Sequence, residues 1–205
     1  MSIRESQGWL PDDHVILFIA QHNWVKGPDI AMDIFRQVAK SDSKARFLIV
    51  GSGRMTDAMK IYARQYFSSG TIHFAGFVPS EKTVAYYLAS DLVICPSRYE
   101  TWARMVNEAM LCRRPCLVSR IVAAAGGLIV NGENGYVVDA PEVSQFVTAI
   151  KKHFMLPQEV RQQMGESARE KAQDFAYGPH IDNVVAAARY AFEQVQSKRS
   201  KKVSR

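Results

Sequence analysis

Apolar residues recur along the chain in two alternating rhythms. Short runs at 14–20, 46–51, 71–75, 91–95, 115–119 and 135–138 have the length and apolar continuity of buried strands. Between them, at 28–40, 55–67, 81–89, 102–112 and near 124–130, apolar residues return every three to four positions, the one-face spacing of helices. Regular alternation of the two predicts an α/β fold, a doubly wound parallel sheet of Rossmann-like type. Three more helical segments, 141–154, 157–173 and 178–196, have no strand between them and are expected to pack outside the sheet. There is no internal repeat.

The run Asp91-Leu92-Val93-Ile94-Cys95 ends at Pro96, which stops a strand, and apolar positions at Met105, Val106, Ala109, Met110 and Cys112 then mark a helix. Glu100 is therefore expected on the strand-to-helix loop and Glu108 within the helix. Open α/β sheets bind ligands at such loops, where helix N-termini present unpaired amides and the positive end of the dipole. Two carboxylates there can accept hydrogen bonds from the vicinal hydroxyls of a sugar or a ribose, and nearby amides can hold a phosphate. Spacing alone leaves a plainer reading open, in which Glu100 caps the helix and Glu108 is solvated.

At 205 residues and 47% apolar content the chain suits one domain with a sizeable core, and no run reaches the length of a membrane span. Cys95, Cys112 and Cys116 lie on apolar faces without Cys-x-x-Cys spacing, which reads as reduced thiols in a cytoplasmic protein. The net charge of +6 is concentrated at the end, where Lys198, Arg199, Lys201, Lys202 and Arg205 leave the rest nearly neutral. Residues 197–205 are expected to be a disordered basic tail. A weak peripheral contact with anionic lipid at the inner face of the membrane is its sharper reading, at about 1 kcal/mol per basic residue. Nucleic acid is not expected, because no aromatic residues interleave the basic cluster.

The spacing from Pro96-Ser97 through Glu100 to Glu108-Ala109-Met110 and Pro115 resembles the signature of GT-B glycosyltransferases of family 4. Four further segments resemble that family in the right order: Phe18 to Gly27, Phe47 to Gly53, Ile72 to Val78 and Leu128 to Val138. The resemblance covers most of the chain and implies the donor-binding domain of a retaining enzyme, residues 14–196, which binds a nucleotide-diphosphate sugar for transfer to an acceptor hydroxyl. Residues 1–13 resemble the linker that precedes this domain, so the acceptor-binding domain is expected to lie on another domain or subunit. Such a chain would be inactive without that partner.

The same resemblance implies roles for individual residues. Lys26 and Gln21 flank the diphosphate; Gly76, Phe77 and Val78 meet the nucleobase; Glu108 takes the ribose hydroxyls; Glu100 contacts the transferred sugar, making Glu100 and Lys26 the catalytic candidates. Thr101, Trp102, Ala103 and Arg104 complete the donor site. No Asp-x-Asp pair occurs, so Lys26, helix amides and Arg104 are expected to balance the diphosphate, with neither metal nor cofactor. Several positions depart from the family pattern: Gln21 stands for arginine, Trp102 for phenylalanine, Ala103 and Arg113 for glycine, and Arg120 and Gly127 for acidic residues. These departures favour a diverged member and keep open a non-catalytic binding or interaction module. A sugar-nucleotide epimerase of the same fold is a weaker alternative. His22 and His73 read as a polar-loop and a strand-face histidine, outside any catalytic constellation.

Overall fold

A computed structural model describes residues 2–175 and Tyr190. The helix expected at 178–196, Tyr190 apart, and the tail at 197–205 lie outside the described residues. Six strands, β1 (His14–Ile19), β2 (Ala45–Val50), β3 (Ile72–Gly76), β4 (Leu92–Cys95), β5 (Cys116–Ser119) and β6 (Gly135–Val138), form one parallel sheet in the order β3-β2-β1-β4-β5-β6. The helices are α1 (Ile3–Ser6), α2 (Pro28–Ala39), α3 (Thr56–Tyr66), α4 (Thr83–Ala89), α5 (Arg104–Leu111), α6 (Ala124–Leu128), α7 (Val143–Met155) and α8 (Gln158–Gln173). The doubly wound α/β sheet predicted from the sequence is the observed one.

Two-residue alternation divides the strands between two cores. Ile16 and Phe18, with Phe47, Ile49, Leu92, Ile94 and Leu117, pack with Phe35 of α2, Met59 of α3 and Phe146 of α7. Val15, Leu17, Leu48, Val50, Val93 and Val118 pack on the other face with Tyr87 of α4 and Val106 and Met110 of α5. Each such buried side chain contributes about 1.5–3 kcal/mol relative to exposure. Helix α8 serves both clusters, through Met164 on one side and Ala168 and Ala172 on the other.

Several boundaries differ from the sequence expectation by one or two residues, and two of them have a clear local form. The helix expected from 102 begins at Arg104, because Ala103 adopts a left-handed conformation, φ 67° and ψ 68°, that a right-handed helix cannot include. The one expected from 81 opens as a 3-10 turn, Ser80–Lys82, which α4 continues. The N-terminal segment is docked on the sheet: a Ser2–Glu5 capping box closes α1, Arg4 donates to Asp91 at 2.7 Å, and buried Trp9 donates from Nε1 to the Gly70 carbonyl.

The strand order positions the site. From β1 the chain runs outward to β2 and β3, then returns to place β4 on the other side of β1. The loops leaving β1 and β4 therefore diverge, and a crevice opens at the C-terminal ends of these two central strands.

Candidate nucleotide-sugar cleft

The β1 loop is built to carry Lys26 inward. Asn23 caps the 3-10 turn Trp24–Lys26 by accepting from the Lys26 amide at 3.2 Å, and Gly27, at φ 67°, turns the chain into α2 with Pro28 in the first helical position. A Cβ on Gly27 would overlap the Pro96 carbonyl oxygen. Only glycine lets the loops after β1 and β4 approach this closely, and across that contact the Lys26 ammonium donates to Glu100 Oε2. The pair is largely shielded, with side chains 28% and 14% exposed. Burial works against ionisation of Glu100, but the Lys26 hydrogen bond and charge, with the Ala103 and Trp102 amides, outweigh it and hold the carboxyl below its ordinary range.

Glu108, one turn into α5, lines the same crevice. Its Oε2 accepts from the Tyr87 hydroxyl at 2.8 Å and its Oε1 pairs with Arg104 Nε at 3.1 Å. Burial first, and the Glu108 charge second, push the Tyr87 phenol up, which keeps it a proton donor. Arg104 is 81% exposed. The cavity between the two carboxylates is about 700 Å³, lined among others by Gln21, Lys26, Phe77, Val78, Glu100, Ala103, Arg104 and Glu108. That volume suits a drug-sized or nucleotide-sized ligand.

Not every expected residue joins it. Gly76, at φ 71°, supplies the turn that leads Phe77 and Val78 to the rim without lining the cavity itself. Thr101 is exposed, and the Trp102 indole turns away to bond Asn107 at 3.1 Å and lie against Phe175; the Trp102 amide reaches Glu100 instead. Gln21 is exposed at the rim, where its side-chain oxygen accepts from Asn23 at 3.1 Å. His22 corrects the polar-loop expectation: it is buried, its Nδ1 meets Thr56 Oγ1 at 2.9 Å, and burial lowers its pKa. Among the described residues no group of three or more His, Cys, Asp or Glu side chains is arranged to hold a metal ion.

Residues 2–171 match the sequence profile of the family described as Glycosyl transferases group 1. The chain belongs to the group 1 glycosyltransferases. It is similar to the D-inositol 3-phosphate glycosyltransferase of Corynebacterium aurimucosum, 26% identical over 187 residues that cover 85% of this chain and 43% of that protein. The chain thus spans less than half the length of the curated relatives it matches. Anabaena HepE, solved in complex with UDP, superposes with a TM-score of 0.79 at 20% identity, covering 92% of this chain and 51% of that one. The C-terminal domain of a group 1 glycosyltransferase, LpcC of Francisella tularensis, gives 0.71 at 19% identity over 82% of this chain and 88% of that domain. The GT-B fold expected from the motifs is the fold of these structures.

For this glycosyltransferase domain, sequence reasoning missed Tyr87, Ser80, Thr83, Ser97 and Met105 among the cavity residues. The relevant signal was faint: Tyr87 sits four residues before Asp91 in a helical apolar strip, where a tyrosine reads as core until its hydroxyl finds a partner. The two glycine departures were better marked. Ala103 and Arg113, at φ 67° and 58°, are the non-glycine residues with positive φ among those described. Both positions where the family pattern prefers glycine thus carry backbone that favours glycine.

Proposed function

We propose that this cleft binds a nucleotide-diphosphate sugar as the donor half of a retaining glycosyltransferase. The observation that carries the reading is the placement of two carboxylates with distinct partners at one crevice. Glu108, fixed by Tyr87, suits the ribose diol; Glu100 suits the hydroxyls of the transferred sugar, and Lys26 beside it suits the leaving diphosphate. Lys26 and the N-terminal amides of α5 supply electrostatic stabilisation as the anomeric carbon–oxygen bond to the diphosphate breaks. The acceptor hydroxyl forms the new bond on the same face and gives its proton to the departing diphosphate oxygen, so the anomeric configuration is kept. HepE carries UDP in a fold of this kind, which supports a nucleoside diphosphate as the leaving group.

The acceptor side is assigned to a further domain or subunit facing the crevice, in keeping with the share of its relatives that the chain spans. Free thiols at Cys95, Cys112 and Cys116 accord with a reducing, cytoplasmic setting. No described helix is long and apolar enough to cross a membrane.

A thermal-shift screen of nucleoside diphosphates and nucleotide sugars tests the reading, since a ligand that binds only the folded state raises its melting temperature. A concentration-dependent rise with one nucleotide series, larger for its sugar conjugate, is expected. No shift with any of them favours the non-catalytic interaction module, which Gln21 in place of a cation already makes the second reading.

A further inference from the structure

This inference rests on the reading of the cleft as a nucleotide site and concerns how that site recognises ribose. Tyr87 is 1% exposed, and its ring belongs to the core cluster under α5. Its backbone is fixed as well, because the Tyr87 carbonyl accepts from both the amide and the hydroxyl of Ser90, at 3.0 and 2.8 Å. A phenol held on both sides in this way has one polar atom to place, and that atom meets Glu108 Oε2. The other oxygen, Oε1, has a very different partner: the guanidinium of Arg104, which is 81% exposed and lies one helical turn back on the same surface. Exposed pairs at that spacing are weak and exchange readily.

We propose that Tyr87 is a positioning residue that sets the ribose selectivity of the cleft, by holding Glu108 Oε2 so that Oε1 is presented to the cavity for a vicinal diol, which displaces Arg104. Glu108 rides on a helix surface and is one-third exposed, so without Tyr87 its carboxylate is free to rotate among rotamers that point to solvent. A pre-ordered acceptor loses less freedom when the ligand arrives than a mobile one. A tyrosine that only fills the core would make no such distinction between ligands.

Four proteins test this: the wild type, Tyr87→Phe, Glu108→Ala and the double variant. Each is titrated calorimetrically with UDP, GDP and ADP and with the matching 2′-deoxynucleotides. Tyr87→Phe keeps the ring and so the shape of the core, which its melting curve verifies. The expected result is a ribo over 2′-deoxy affinity ratio that falls about fivefold or more in Tyr87→Phe, and no further in the double variant than in Glu108→Ala alone. Glu108→Asp, which withdraws the carboxylate from the phenol while keeping its charge, is expected to lose the ratio as well.

A Tyr87→Phe protein with the wild-type ratio, or one whose loss persists undiminished without Glu108, overturns the proposal. So does a wild type that binds nucleotides without preferring ribose, which leaves the nucleotide cleft itself standing. A wild type that binds none of the probes overturns both.

Discussion

Replacing Gly27 by alanine tests how the fold brings the two sides of the cleft together. Gly27 holds φ 67° and ψ 41° at the start of α2, a conformation that costs an L-residue about 1–2 kcal/mol. The added Cβ would overlap the Pro96 carbonyl oxygen and stand 3.2 Å from its carbon, both backbone atoms with no rotamer to escape into. Overpacking of that kind adds about 1–3 kcal/mol, and the smaller entropy of the unfolded alanine chain returns about 0.4–1. The net loss is about 2–4 kcal/mol, a fall in Tm of about 5–15 °C for a domain of this size. Relief of the clash also moves the β1 loop from the β4 loop and separates Lys26 from Glu100. Gly126→Ala in α6 is the control, since no atom lies within 4 Å of its added Cβ and its φ is not positive. Melting curves and nucleoside-diphosphate titration of both variants provide the readout. A Gly27→Ala protein within about 2 °C of wild type in Tm, with undiminished affinity, would refute the reasoning.

Acid titration of stability examines the Lys26–Glu100 pair. The folded pKa of Glu100 lies below its ordinary value, so its contribution is present at neutral pH and disappears as pH falls through the folded pKa. Between about pH 5 and 2 the wild type should lose more stability than Glu100→Gln, and parallel profiles would contradict the pairing. Gln21→Arg returns a cation to the rim and should tighten binding of a nucleoside diphosphate by about 1 kcal/mol, but not of the bare nucleoside. That gain should shrink between low and high salt; unchanged affinity would remove Gln21 from the phosphate end.

Much of the fold was legible because its strands are short, continuous apolar runs and its helices amphipathic, so each element carries its own signal. The exceptions have local physical causes. The start of α5 was misplaced by two residues because the conformation of Ala103 depends on a turn that its side chain does not advertise. The burial of His22 arises from the packing of the β1 loop against the turn after β2, where the His22 amide donates to the Ser52 carbonyl and Nδ1 meets Thr56. Glu100 and Glu108 were legible as a pair by spacing. Their partners were not, since Lys26 is 74 positions from Glu100 and Tyr87 is 21 from Glu108. The first contact exists only once β1 and β4 are neighbours in the sheet, and the second only once α4 packs beside α5.

The division of labour between the two carboxylates is the centre of this account, and calorimetry of Glu108→Ala and Glu100→Ala with a nucleoside diphosphate and its sugar conjugate measures it most directly. Glu108→Ala should weaken both ligands by about 1–3 kcal/mol, the scale of hydrogen bonds to a charged group. Glu100→Ala should bind the plain nucleotide nearly as the wild type does and lose the additional affinity contributed by the sugar. Equal losses of plain nucleotide affinity in the two variants would contradict the account.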